Sequence, residues 1–133
     1  MDKGFSLVEI MIGIILLAVG LLAIAGMQMT SIRGNYFSSS MMQASFYGQD
    51  GLEVLRGLPF QPSGDWSVAL SIGPHSLGNA FEDGGAIPGT HFTRVYTVTQ
   101  HPTSANIRII QVTINWTDKA SHSLSFSTMR LRP

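Results

Sequence analysis

The sequence predicts an α+β protein in which a long N-terminal helix, transmembrane in its first half and amphipathic in its second, packs on a small antiparallel β-sheet. Three observations carry that expectation: an uncharged apolar run from Ile10 to Ile32, apolar residues at helical spacing as far as Leu55, and period-two alternation in the last third.

Ile10 to Met27 is eighteen residues of Ile, Leu, Met, Val, Ala and Gly. At about 1.5 Å per residue, a helix of that length crosses most of a hydrocarbon core about 30 Å thick. Glu9 stands just inside the start of the run. A carboxylate carried to the bilayer centre costs roughly 2.5–3.5 kcal/mol, and less near the interface, so its presence calls for a partner and points to a function. Beyond the run, Phe37, Met41, Ala44, Gly48, Leu52 and Leu55 recur at steps of three and four, which is one face of a helix. Gly57, Pro59 and Pro62 end it. The reading is one nearly continuous helix from about Phe5 to Leu58. Gly34, Ser38-Ser39-Ser40, Gly48 and Gly51 are poor helix formers, each Gly costing up to about 1 kcal/mol against Ala. The second half is therefore expected to rely on a sheet packed against it.

Residues 59–90 are rich in Gly and Pro and predict mostly loop, with one candidate strand at Trp66 to Ile72. The sheet is placed at 91–131. His91 to Gln100 alternates, with Phe92, Tyr96 and Val98 on one side and Thr93, Val95, Thr97 and Thr99 on the other. Ile107 to Trp116 puts Ile110, Val112, Ile114 and Trp116 on one face, and Ser123 to Leu131 is a third candidate with Leu124 and Phe126 in register. The short polar loops His101 to Asn106 and Thr117 to His122 join consecutive antiparallel strands. Phe37, Met41, Leu52, Leu55, Val112, Ile114 and Trp116 are expected to share one core.

The 133 residues hold one span and enough chain for one small domain. Eight basic and eight acidic residues balance, so no net field favours nucleic acid, and none is expected as a partner. There is no cysteine, so the domain holds without disulfides. Enzyme chemistry finds no footing. His75, His91, His101 and His122 are scattered, with no ligand spacing, and neither a metal site nor a cofactor is expected. Glu82-Asp83-Gly84-Gly85 lacks the alternating oxygens of a calcium loop and reads as a Gly turn. Asn115-Trp116-Thr117 fits a glycosylation acceptor, but it closes a strand expected to be buried.

The N-terminus carries a family resemblance. Met1-Asp2-Lys3-Gly4, then Phe5-Ser6-Leu7-Val8-Glu9, then an apolar helix, resembles the prepilin leader of type IV pilins and type II secretion pseudopilins. The resemblance implies a leader of residues 1–4, cleavage between Gly4 and Phe5 by a membrane prepilin peptidase, and methylation of the new Phe5 amine by the same enzyme. It further implies an assembly segment at 5–29 and a periplasmic pilin domain at 30–133, whose helical part runs over 30–58. Glu9 then lies one helical turn from the mature terminus. Gly20-Leu21-Leu22-Ala23-Ile24-Ala25-Gly26-Met27-Gln28, Gly51 to Phe60 and Val112-Thr113-Ile114-Asn115-Trp116 resemble the PilV-type minor pilins. Major pilins usually carry a Pro in this part of the helix, whereas the first Pro here is Pro59.

By that resemblance the chain is expected to be a structural subunit with two environments. It is first held in the inner membrane by one span, then incorporated into a pilus at the cell surface, with other minor and major pilins as partners through the N-terminal helix. Glu9 would there accept the N-terminal ammonium of a neighbouring subunit. A type II secretion minor pseudopilin of the I type is the alternative within the family, and neighbouring genes would separate the two. A membrane-tethered periplasmic binding module is the alternative outside it. The same N-terminus also admits a secretory signal peptide, with Ala23-Ile24-Ala25 as the cleavage site. Against that, Lys3 is offset by Asp2, and an acidic residue opens the apolar run.

Overall fold

In this computed structural model the described residues are 4, 6–61, 66–81 and 83–132. The first element is a single α-helix, α1, over Leu7–Gly57, 51 residues without interruption. No Pro precedes Pro59, so nothing removes a hydrogen bond from its ladder. The chain divides into two compact units, Met1–Ser40 and Met41–Pro133.

In the first unit, α1 exposes its apolar residues all round, Leu7, Ile10, Ile14, Leu17, Leu21 and Ile24 among them. The stretch is long and apolar enough to cross a membrane. Thr30 satisfies its own hydroxyl within the helix, donating to the Gly26 carbonyl at 3.1 Å.

The second unit is the end of α1 laid on a four-stranded antiparallel sheet. The strands are β1 (Gly73–Ser76), β2 (Phe92–His101), β3 (Ser104–Thr117) and β4 (Ser121–Leu131), in the spatial order β1-β2-β3-β4. Alternation places Phe92, Tyr96 and Val98 of β2 and Ile110, Val112, Ile114 and Trp116 of β3 toward the helix, all buried. Ala44 and Leu55 of α1 close on them from the other side. Phe37 and Met41, expected in this core, are exposed instead. The contact stripe of α1 passes through Ala44, Gly48, Gly51 and Leu55, at steps of three and four that leave Met41 at its margin.

The segment before β2 differs from its sequence reading. Trp66–Ile72 is no strand: Val68–Leu70 forms one 3-10 turn, closed by Leu70 N–H on the Ser67 carbonyl at 2.9 Å. Trp66 and Leu70 are both buried, a spacing of four that suits a turn and not a pleat. Tyr96 fixes the turn by donating its hydroxyl to the Ala69 carbonyl at 2.8 Å. The strand lies further on, at Gly73–Ser76, where Gly-Pro-His-Ser gives no strand signal. Pro74 is tolerated because β1 is an edge.

Gly48 and Gly51 carry a cost in helix propensity for a reason of packing. A Cβ on Gly48 would lie 2.5 Å from Cδ2 of Phe126, and one on Gly51 would lie 2.8 Å from Cδ of Arg94 and 3.3 Å from Cγ1 of Val112. The two glycines let the helix backbone approach the sheet. Gly48→Ala therefore destabilises by about 1–3 kcal/mol through overpacking, although the helix gains up to about 1 kcal/mol of propensity. In a domain of about a hundred residues that is a fall in melting temperature of at least about 4 °C. Gly34→Ala, where a Cβ meets nothing within 4 Å, does not lower it, since only the propensity gain remains. Thermal unfolding followed by circular dichroism distinguishes the two.

Candidate functional site

The N-terminal motif sits at the first turn of α1. Gly4 is exposed, with open space around the position of a Cβ. Phe5 lies outside the described residues, as do Asp2 and Lys3. The Ser6 carbonyl accepts from Glu9 N–H at 3.0 Å and Ile10 N–H at 3.2 Å, which starts the helix. Glu9 is thus in the first turn, where the positive end of the helix dipole favours a carboxylate. Its neighbours Leu7, Val8, Ile10 and Met11 are exposed. Among the described residues none forms an ion pair with Glu9, and the next charge along the chain is Arg33. Chemically, this is an anion at one end of an apolar cylinder. Once water is removed from that surface, whether by lipid or by other helices, the carboxylate needs a cationic or hydrogen-bonding partner.

The other candidate positions resolve into local structure. His75 contacts the Ser71 carbonyl at 2.9 Å through Nε2 and stacks on Tyr96. His91 lies against Phe92. His101 accepts at Nδ1 from the Thr103 amide at 3.3 Å. His122 meets Asp118 at 3.1 Å and stacks on Trp116. Among the described residues no three His, Asp or Glu side chains converge. Trp116 of Asn115-Trp116-Thr117 is buried, and Asn115 pairs within the sheet with Thr93 and Ser123. Glu82 lies outside the described residues, but Asp83 is placed: its carboxylate accepts from the amides of Gly78 and Ala80, each at 2.8 Å, and of Gly85 at 3.0 Å. A carboxylate turned onto backbone N–H groups organises a loop.

Sequence reading missed Arg94, which faces inward from β2. It donates from Nε to the Leu77 carbonyl at 2.7 Å and from Nη2 to the Gly78 carbonyl at 3.0 Å. Nη1 reaches the Tyr47 carbonyl at 3.1 Å and Asp50 Oδ2 at 2.7 Å. The signal was present: Phe92, Arg94, Tyr96 and Val98 share one parity. Missed too was the hold on the end of α1. Arg130 donates to the carbonyls of Leu55 and Leu58, and Arg56 to the Thr128 hydroxyl.

Among known proteins, residues 1–25 match the family described as the prokaryotic N-terminal methylation motif. The match supports a type IV pilin-like prepilin, either pilin or pseudopilin. That family consists of structural subunits that assemble with other pilins and are processed by prepilin peptidase. Together with the apolar start of α1, it supports a membrane-anchored pilin-like protein. No curated protein and no solved structure matches the chain.

Asp83 makes the second unit sensitive to acid. The Ala80 amide first, with those of Gly85, Gly78 and Asn79, holds its carboxyl at about 2, below the ordinary 3.8, against an opposing effect of burial second in size only to that of the Ala80 amide. Because the folded value is depressed, the stabilisation is complete above the ordinary value and is lost as pH falls through about 2. The amide resonances of Gly78, Ala80 and Gly85 should hold their native shifts down to about pH 4 and move together between about pH 4 and 2. Asp83→Ala should show the displaced shifts already at pH 7.

Proposed function

We propose that the chain is a minor pilin of the PilV type, a structural subunit that helps prime, assemble or tip a type IV pilus. The observation that carries this reading is the match of residues 1–25 to the methylation motif, with Glu9 as the single charge between the start of α1 and Arg33. Cleavage after Gly4 frees the Phe5 amine, which is then methylated. In the membrane, the start of α1 is solvated by lipid; on assembly it is extracted and covered by the helices of other subunits. Glu9 accepts the ammonium of a neighbour's N-terminus, and in a dry helical core a partnered carboxylate is tolerated where a lone one is not. The charge pair then sets the axial register between subunits, and the apolar cylinder supplies the contact area.

Mass spectrometry of the N-terminal peptide should find a chain beginning at Phe5 with a methylated amine. A chain beginning at Gly26, or one that retains Met1, contradicts the prepilin reading. Glu9→Val keeps the length and apolar character of the span while removing the carboxylate. Membrane insertion and cleavage after Gly4 should survive, and co-purification with partner pilins should fall by at least about tenfold, which corresponds to about 1.4 kcal/mol of lost association energy. Incorporation at the wild-type level would mean that the charge pair does not set assembly.

A further inference from the structure

We propose that Arg33 binds the phosphate of a membrane phospholipid at the end of the span away from Glu9, and that this contact fixes how deep α1 sits in the bilayer. The proposal rests on the reading that the start of α1 lies in a membrane. Arg33 is the one charged residue between Glu9 and Asp50. It is exposed on α1, and among the described residues none forms an ion pair with it. A Cβ on the adjacent Gly34 meets nothing within 4 Å, so the helix surface beside Arg33 is open.

The spacing of the two charges fits a bilayer. Twenty-four residues of uninterrupted helix carry the chain from Glu9 to Arg33, which is about 36 Å at about 1.5 Å per residue. A hydrocarbon core is about 30 Å thick, and about 40–45 Å with its headgroup regions. An upright helix therefore holds both charges about 3 Å beyond the hydrocarbon, one on each side. A tilt of about 20° shortens the separation only to about 34 Å. Composition changes at the same depth: Gln28, Thr30, Ser31 and Asn35 flank Arg33 in sequence, whereas no residue from Ile10 to Met27 has a polar side chain.

The side chains around Arg33 suit a phosphate. Tyr36 and Phe37 follow it at three and four residues, which places all three on one side of the helix. Tyr36 is 55% exposed, and tyrosine concentrates at headgroup depth, where its apolar ring and its hydroxyl are both accommodated. The guanidinium fork donates to two oxygens of one phosphate at once, and its flexible stem lets the charge reach the interface from a backbone that lies lower. Glu9 sets no such level by itself. An anion gains nothing from phosphate and is better hydrated the further it withdraws from the hydrocarbon. Arg33 supplies the attractive contact at one level, and the two charges together bracket the span.

The test uses the full chain in vesicles of phosphatidylethanolamine and phosphatidylglycerol. Met27→Cys places a single thiol in a chain that has none, at an exposed position about 9 Å along the helix from Arg33. A nitroxide there reports its depth through its relative collision with oxygen and with an aqueous nickel chelate. Adding Arg33→Gln should move the label at least about 3 Å toward the bilayer centre, two residues of helix rise, because Glu9 then withdraws on its own side. In solid-state NMR, lipid phosphorus should dephase isotopically labelled guanidinium carbon, and Arg33→Gln should remove that dephasing. The dephasing should also be absent from vesicles of digalactosyldiacylglycerol supplied with inorganic phosphate, which separates a lipid phosphate from a free one. A label that keeps its depth in Arg33→Gln, or dephasing that does not depend on Arg33, overturns the proposal. A Met27→Cys label as open to nickel as one at Gln49→Cys is a different failure: α1 then stays out of the bilayer, and the membrane reading falls as well.

Discussion

The guanidinium of Arg94 joins the helix, the sheet and the loop that precedes β2. Its carbonyl acceptors, Leu77, Gly78 and Tyr47, lie on two different segments, and its carboxylate partner Asp50 lies on α1. A buried cation is tolerated only when it is paired and its protons are satisfied, and here four acceptors surround one side chain. The backbone of the same residue fastens the loop as well, its amide donating to Gly85 and its carbonyl accepting from Leu77. Gly51 is small because the stem of Arg94 passes beneath it. With no disulfide, this network ties the segments together in place of a covalent link, and the Asp83 loop closes over it by accepting the Gly78 amide.

The far end of α1 is held by the same means. Helix C-terminal carbonyls lack intrahelical donors and carry partial negative charge, and Arg130 supplies both hydrogen bonds and a positive charge there. Its guanidinium also lies 4.5 Å from the centre of the Phe60 ring, which holds the chain as it leaves the helix. The second unit therefore presents a helix end fixed at two points. The first unit presents the reverse condition: apolar residues exposed on every side, with one carboxylate at the start. Such a surface requires a cover, and lipid and neighbouring helices are the two covers consistent with the methylation motif.

Much of this was legible from periodicity. The three-and-four spacing gave the helix as far as Gly57, and the parity of Ile110, Val112, Ile114 and Trp116 gave the inner face of β3. Three features were not legible, each for a physical reason. β1 consists of Gly-Pro-His-Ser, which pairs because β2 offers it an edge and not through any strand preference of its own. Trp66 to Ile72 resembled a strand because its apolar residues are mixed with Ser, whereas the two buried ones stand a helical turn apart. Gly48 and Gly51 looked like weak points in a helix, and only the positions of Phe126 and Arg94 show them to be points of contact. At the N-terminus the reverse holds. Gly4, Phe5 and Glu9 were read as a motif from local sequence alone, and the matched residues 1–25 span them, while an isolated chain gives Glu9 no described ion-pair partner.

Arg94 secures the second unit through several acceptors at once and not through one ion pair. Its side chain is 7% exposed and that of Asp50 is 50% exposed, so the two halves of the pair should behave differently on removal. Denaturant unfolding of the full chain in micelles should find that Arg94→Met costs about 3–5 kcal/mol, since buried carbonyls lose their donor, while Asp50→Asn costs under about 1 kcal/mol. Equal small losses for the two variants would contradict the claim that this guanidinium holds helix, loop and sheet together.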